Sequence, residues 1–190
     1  MQLLLASTSP YRRELLARLR LTFKVARPDI DESPHPGEKP IELVQRLARA
    51  KAVAVATSAG HAWVLGSDQV AELDGRPLGK PGDADGAIAQ LTALSGRTIP
   101  FHTAVALVQS DGRVLAATDT THVRLRKLSQ DEIARYVAIE TPFDCAGSFK
   151  CEALGIALFE AVATQDPTAL VGLPLIATAR LLREAGFTVP

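Results

Sequence analysis

A chain of 190 residues with 47% apolar content and 5% aromatics has enough apolar surface for a substantial core, and reads as one globular domain spanning 1–190. Its 21 basic and 21 acidic side chains cancel, which argues against a nucleic-acid partner while leaving room for an anionic ligand in a local pocket. There is no signal-peptide pattern, no stretch as long as a membrane span, and only one C-x5-C pair (Cys145, Cys151) without zinc spacing, so the expected setting is cytoplasmic with reduced thiols.

Taken in chain order, "LLLA" (3–6) predicts a short buried strand feeding a helix. Ser7, Thr8 and Ser9 are good N-cap residues, and Pro10 suits the first helical position. "LTFKVA" (21–26) alternates like a strand. Residues 28–40 form a loop with four prolines, followed by a helix over about 40–58. "AWVLGSDQVAEL" (62–73) predicts a buried strand ending near Gly66, and "LDGR" a hairpin turn. A loop at 79–86 leads into a helix reaching about Leu94. Residues 98–126 predict two long strands joined at Ser110-Asp111-Gly112, then a helix over about 129–139 capped by Ser129 and Glu132. A glycine-bearing loop and a strand fill 144–162, and the last helix covers about 173–185 before Gly186. Interleaved helices and long central strands predict an α/β fold with a mixed sheet.

Several charges stand where apolar patterning does not want them. Arg12 precedes Leu15, Leu16 and Leu19 by three, four and seven residues, so it projects onto the apolar face of the first helix. It is either a snorkelling side chain or, with Arg13 and the helix N-terminus, part of an anion site. Lys51 falls inside the apolar stripe Leu43, Val44, Leu47, Ala48, Ala54, Val55 of the second helix, and again either snorkels or points at an anion in a cleft. Asp68 follows a strongly apolar run, the usual place for a ligand-facing residue in an α/β protein, although an isolated aspartate more often caps a turn. Lys80 in "GKP", the carboxylates Asp29, Asp31 and Glu32, and the pair Lys150 and Glu152 are weak signals alone, since such groups are usually solvated. Together, a helix N-terminus with Arg12, Arg13, Lys51 and Lys80 can neutralise a polyphosphate, while Asp68 and Glu32 can hold a divalent metal and activate water. That is the equipment of a phosphoanhydride hydrolase. Neither G-x-G-x-x-G nor G-x4-GK[ST] occurs.

The motifs "LLLASTSPYRRELL", "DIDES", "RLARAKA", "GSDQV", "LGKP", "CAGSFKCE" and "LVGLPL", in that order from residue 3 to about 185, resemble the Maf family of nucleoside triphosphate pyrophosphatases. The resemblance implies a mixed α/β fold related to the inosine triphosphatase-like enzymes, with two lobes around a central cleft. It implies metal-assisted attack of water (Mg²⁺ or Mn²⁺) at the α-phosphorus of a small-molecule nucleotide, and homodimers among family members; no membrane partner is expected, since no stretch approaches the length of a span. Carried over by motif, Ser7, Arg12 and Arg13 would hold phosphates, Glu32, Lys51 and Lys80 would line the phosphate and metal region, and Asp68 would accept the proton, with Glu32 and Asp68 on the metal. Gln69 after Asp68, and "CAGSFKCE" rather than a Gln-rich late motif, resemble the branch assigned to 7-methyl-GTP. There Tyr11 would stack on the cationic ring, Glu152 would accept from the guanine edge, and Gln69 would add a polar contact. Tyr11 stands where that branch often has tryptophan. A house-cleaning hydrolase of 7-methyl-GTP is therefore expected; the alternatives are a broader enzyme acting on pyrimidine nucleotides and a non-catalytic nucleotide-binding regulator of septum formation.

Overall fold

The computed structural model describes residues 1–190. In chain order it runs β1 (Leu3–Ala6), α1 (Pro10–Ala17), β2 (Lys24–Ala26), α2 (Pro40–Ala56), β3 (Trp63–Leu73), β4 (Arg76–Leu78), α3 (Ala84–Leu94), β5 (Thr98–Gln109), β6 (Val114–Leu125), α4 (Gln130–Glu140), β7 (Phe159–Ala163) and α5 (Leu175–Glu184). The strands form one seven-stranded sheet in the order β2-β1-β3-β5-β6-β7, with β4 paired to β3. β2 and β3 lie parallel to β1 on either side of it, while every other pairing is antiparallel. Helical crossovers supply the parallel part, because parallel neighbours need a long return; tight turns join β3 to β4 and β5 to β6, while β3–β5 and β6–β7 pair antiparallel across α3 and α4. The expected mixed sheet with flanking helices is the fold observed. No helix is long and apolar enough to cross a membrane.

Local signals hold where caps are explicit. Ser9 caps α1 by accepting from the Arg12 N–H, and Ser129 with Glu132 forms the reciprocal capping box of α4. Asp74 and Gly75, both at positive φ, make the β3–β4 turn. Two boundaries differ: β2 covers only Lys24–Ala26 of the expected 21–26, and β3 does not end near Gly66 but continues through it to Leu73, so Asp68 lies in mid-strand. For β3 the reason is tertiary. A Cβ on Gly66 would overlap the Ala48 carbonyl oxygen and come within 2.7 Å of the Ala52 nitrogen, so the glycine is the place where α2 lies directly on the sheet.

α2 alone covers one face of the sheet, burying Leu43, Val44, Leu47 and Ala52 against Val64, Val70, Ala104 and Ala106. The opposite face carries two cores. One packs α1 and α5 on Leu3, Leu5, Trp63, Leu65 and Val105. The other packs α3 and α4 on Ala71, Ile99, Phe101, Val123 and Leu125. Between these two cores runs a polar belt of Ser67, Gln69 and Thr103, and it is spent on backbone. Ser67 donates to the carbonyls of Ala104 (2.8 Å) and Gly172 (3.0 Å), and Thr103 to that of Ala169 (3.0 Å). The belt thereby ties the 169–172 turn onto the sheet.

Candidate active site

Where the N-terminus of α1, the proline-rich loop, α2, the middle of β3 and the 144–152 loop meet, they enclose a cavity of about 690 Å³. Its lining holds Ser7, Tyr11, Arg12, Glu32, Lys51, Asp68, Gln69, Lys80 and Glu152, nine of the ten side chains to which the family resemblance gives a role. Arg13 is the exception: it is exposed and outside the lining. Adjacent helical positions differ by about 100° in direction, so a helix that aims Arg12 inward turns Arg13 away. Two neighbouring guanidiniums on one phosphate are not what this geometry presents.

The centre of the site is a three-membered charge cluster. The buried Lys51 Nζ lies 2.6 Å from Asp68 Oδ1 and 3.0 Å from Glu32 Oε1. Lys51 therefore does not snorkel; it is inside the stripe because its partner is on the strand beneath, brought close by the α2–Gly66 contact. Asp68 is buried, whereas the Glu32 side chain is 58% exposed at the cavity rim. Arg12 Nε donates to the Gly172 carbonyl at 2.9 Å, which fixes the guanidinium and leaves its terminal nitrogens without protein partners. Burial pulls this guanidinium below its ordinary value, with Asp68 and Glu32 opposing the shift. Ser7 is buried and accepts from the Ser9 N–H at 3.1 Å. Lys80 is exposed and makes no ion pair within the chain.

The donor set fits a hard divalent cation. Asp68 and Glu32 offer carboxylate oxygens on the cavity, and such a cation completes its shell with water and substrate phosphate rather than an all-protein cage. No group of three or more His, Cys, Asp or Glu residues has the arrangement of a closed metal site.

The other end of the cavity is built by residues 144–152. Phe149 anchors this loop between Phe101 and Phe159, with ring centroids at 5.2 and 4.7 Å. Gly147, at φ +73°, lets the loop pass over Phe101, where a Cβ would come within 2.7 Å of the ring. Tyr136 Oη accepts from the Lys150 N–H, and Lys150 Nζ donates to the Glu140 carbonyl. Tyr11 stands among Cys145, Lys150, Asp144 and Glu152; burial raises its phenol above the ordinary value. Asp144 was not foreseen, because nothing in the local pattern separates it from a solvated loop carboxylate. Cys145 and Cys151 are free thiols on the cavity lining, and burial pushes both up to about 12.

Gln69 lines the cavity with its amide nitrogen committed to the chain. Its Nε2 donates to the carbonyls of Ala169 and Leu170, both at 2.9 Å, and faces Thr103 Oγ1 at 3.1 Å. Both amide hydrogens are engaged by the protein. Gln69 can offer a ligand only its carbonyl oxygen, and much of its task is to hold the 169–172 turn.

The profile of the Maf family, described as Maf-like protein, matches residues 2–185. The chain belongs to the Maf family. This Maf-family chain is 62% identical over 189 residues to a protein of Xanthomonas oryzae pv. oryzae (strain MAFF 311018) named 7-methyl-GTP pyrophosphatase, covering 100% of this chain and 99% of that one. It is 54% identical over 190 residues to a protein of the same name from Aromatoleum aromaticum, covering 100% and 98%. Among solved structures, the Staphylococcus aureus Ham1 protein superposes with a TM-score of 0.56 at 17% identity, covering 97% of this chain and 100% of that one. A HAM1 protein from Coxiella burnetii gives 0.54 at 17%, covering 97% and 98%. At these identities the structural likeness concerns the fold of the Maf-family chain, which is that of the Ham1 proteins.

Proposed function

We propose that this chain hydrolyses 7-methyl-GTP to 7-methyl-GMP and pyrophosphate. The observation that carries the reading is the Lys51–Asp68–Glu32 cluster facing a cavity whose opposite end gathers Tyr11, Asp144 and Glu152. The triphosphate lies over the N-terminus of α1, with the free terminal nitrogens of Arg12 and the Ser7 hydroxyl on phosphate oxygens and Lys80 closing from the rim. Asp68 takes a proton from the attacking water, the water oxygen bonds to the α-phosphorus, and the bond to the bridging oxygen breaks to release pyrophosphate. Lys51 holds Asp68 in place and neutralises charge building on the phosphate. Asp68 and Glu32 would hold Mg²⁺ or Mn²⁺, which would supply further charge stabilisation on phosphate oxygens.

N7-methylation makes guanine cationic. A half-buried tyrosine ring with Asp144 and Glu152 set against the single Lys150 ammonium suits such a base, with a cation–π gain of about 0.5–2 kcal/mol. Glu152 accepts from the base's N–H edge. Glu152→Ala is therefore expected to lower kcat/KM for 7-methyl-GTP by about 10–100-fold, the value of a hydrogen bond to a charged group, and to leave residual UTP turnover near wild type. Equal losses on both nucleotides would assign Glu152 to the scaffold.

Pyrophosphate release from 7-methyl-GTP, GTP, dTTP and UTP, with Mg²⁺, Mn²⁺ or EDTA, tests the reading directly. Metal-dependent preference for 7-methyl-GTP, abolished by EDTA, is expected. Preference for pyrimidine nucleotides would keep the reaction and remove the base assignment. No release from any of them would leave a nucleotide-binding regulator.

A further inference from the structure

Residues 27–39 form one wall of the cavity without a helix or strand of their own. Their single internal backbone hydrogen bond runs from the Glu38 N–H to the His35 carbonyl. Glu32 sits in this loop, and Lys51 is its only protein partner. Something else must decide where Glu32 stands. On one side Ile30 packs on the α2 core. On the other, Arg46 of α2 spans the loop with a planar fork. Its Nε lies 2.6 Å from Glu38 Oε1, and its Nη2 lies 2.8 Å from Glu38 Oε2 and 2.9 Å from the Ser33 carbonyl. Glu38 Oε2 also accepts from the His35 N–H at 2.9 Å. One guanidinium thus joins the residue next to Glu32 to the far end of the loop.

We propose that Arg46, acting through Glu38 and the Ser33 carbonyl, is a positioning residue that sets the 27–39 loop so that Glu32 meets Lys51. The proposal rests on the pyrophosphatase reading above. Arg46 touches neither the nucleotide nor the reacting atoms, and it is outside the cavity lining. It sits five residues before Lys51 on the same helix, so one rigid element presents both the loop's anchor and Glu32's partner. Lysine cannot substitute fully, because a point charge does not engage two carboxylate oxygens and a carbonyl at once. The fork joins α2 to the loop alone, since every bond the guanidinium makes ends on Ser33 or Glu38. Its loss is therefore local: the loop loosens while the sheet and its cores stay intact.

Three variants, Arg46→Ala, Arg46→Lys and Glu38→Gln, are compared with wild type by steady-state kinetics on 7-methyl-GTP and by amide hydrogen exchange of the whole chain. Arg46→Ala is expected to lower kcat by about 10–100-fold, the usual effect of removing a group that orients a site carboxylate. KM should change little, because Arg12, Tyr11 and Glu152 lie on other elements. Exchange should rise in peptides covering 28–39 and nowhere else. Arg46→Lys should fall between Arg46→Ala and wild type, and adding Glu38→Gln to Arg46→Ala should cost nothing further. Unchanged kcat with unchanged exchange in Arg46→Ala would overturn the proposal. So would a loss of kcat accompanied by faster exchange throughout the chain, which marks general loosening. If wild type releases no pyrophosphate, the catalytic reading falls by itself, and exchange of 28–39 in Arg46→Ala still decides whether the fork holds the loop.

Discussion

Asp68→Asn should reduce pyrophosphate release from 7-methyl-GTP by about 10²–10⁴-fold, the range for losing a positioned proton acceptor, with the melting temperature close to wild type. The substitution is chosen for what it preserves. Asparagine has the same shape, and its Oδ1 still accepts from Lys51 Nζ, which Asp68 holds at 2.6 Å. The backbone around it is held by neighbours, since Ser67 and Gln69 are bonded to carbonyls of β5 and of the 169–172 turn. What disappears is the negative charge and the capacity to take a proton from water. Glu32 remains near Lys51 at 3.0 Å, so the ammonium keeps one anionic partner. Binding should survive, because Arg12 and Tyr11 are untouched; titration with 7-methyl-GTP, read by calorimetry, separates binding from turnover. Normal turnover in Asp68→Asn would remove Asp68 from the acceptor role. A large drop in melting temperature would mean that the Lys51–Asp68 pair serves the fold first.

Features written in a few neighbouring residues were legible from the chain. Ser9 and Ser129 mark helix starts because capping involves atoms three residues apart. Lys51 stood out because a cation inside an apolar stripe contradicts the pattern around it, and the contradiction has a cause in Asp68 on the neighbouring strand. Arg12 stood out for the same reason. What was not legible depends on distant chain. Gly66 reads as a strand breaker in sequence, yet it lies in the middle of β3, since the partner that demands a glycine is the backbone of α2. Gln69 reads as a pocket group, but its amide is occupied by carbonyls about a hundred residues downstream. Nothing in the local pattern marks Arg46 and Glu38 as partners, and only the path of the loop makes them a fork and its anchor. Arg13 was misplaced by adjacency: the sequence puts it beside Arg12, and the helix rotates it out of the cavity.

Gly66→Ala should destabilise the chain and stop catalysis together, although β3 by itself would welcome the change. Replacing glycine by alanine in an unstrained backbone stabilises by about 0.4–1 kcal/mol through the unfolded state. Here that gain is outweighed. The new methyl would overlap the Ala48 carbonyl oxygen and stand 2.7 Å from the Ala52 nitrogen, and both are helix backbone, not the flexible end of a side chain. Relief requires α2 to move off the sheet. Overpacking of this kind costs about 1–3 kcal/mol or more, and at this chain length each 1 kcal/mol lowers the melting temperature by about 2–4 °C. The catalytic consequence is separate, because Ala48 and Ala52 flank Lys51 on the same helix. A shift of α2 draws Lys51 from Asp68 and widens the gap that Glu32 must bridge, while misplacements near 1 Å can cost about 10²-fold in rate. Gly79→Ala is the control: nothing lies within 4 Å of its new methyl, and the backbone there is not in the left-handed region, so stability should hold or rise slightly. Thermal melts and kcat measured on both variants, well below either transition, decide the matter. A Gly66→Ala protein that melts with wild type would mean that α2 does not rest on β3 at this distance. One that melts lower yet keeps full kcat would uncouple the helix contact from the Lys51–Asp68 geometry, and the catalytic cluster would then have to be held by the strand and the 27–39 loop alone.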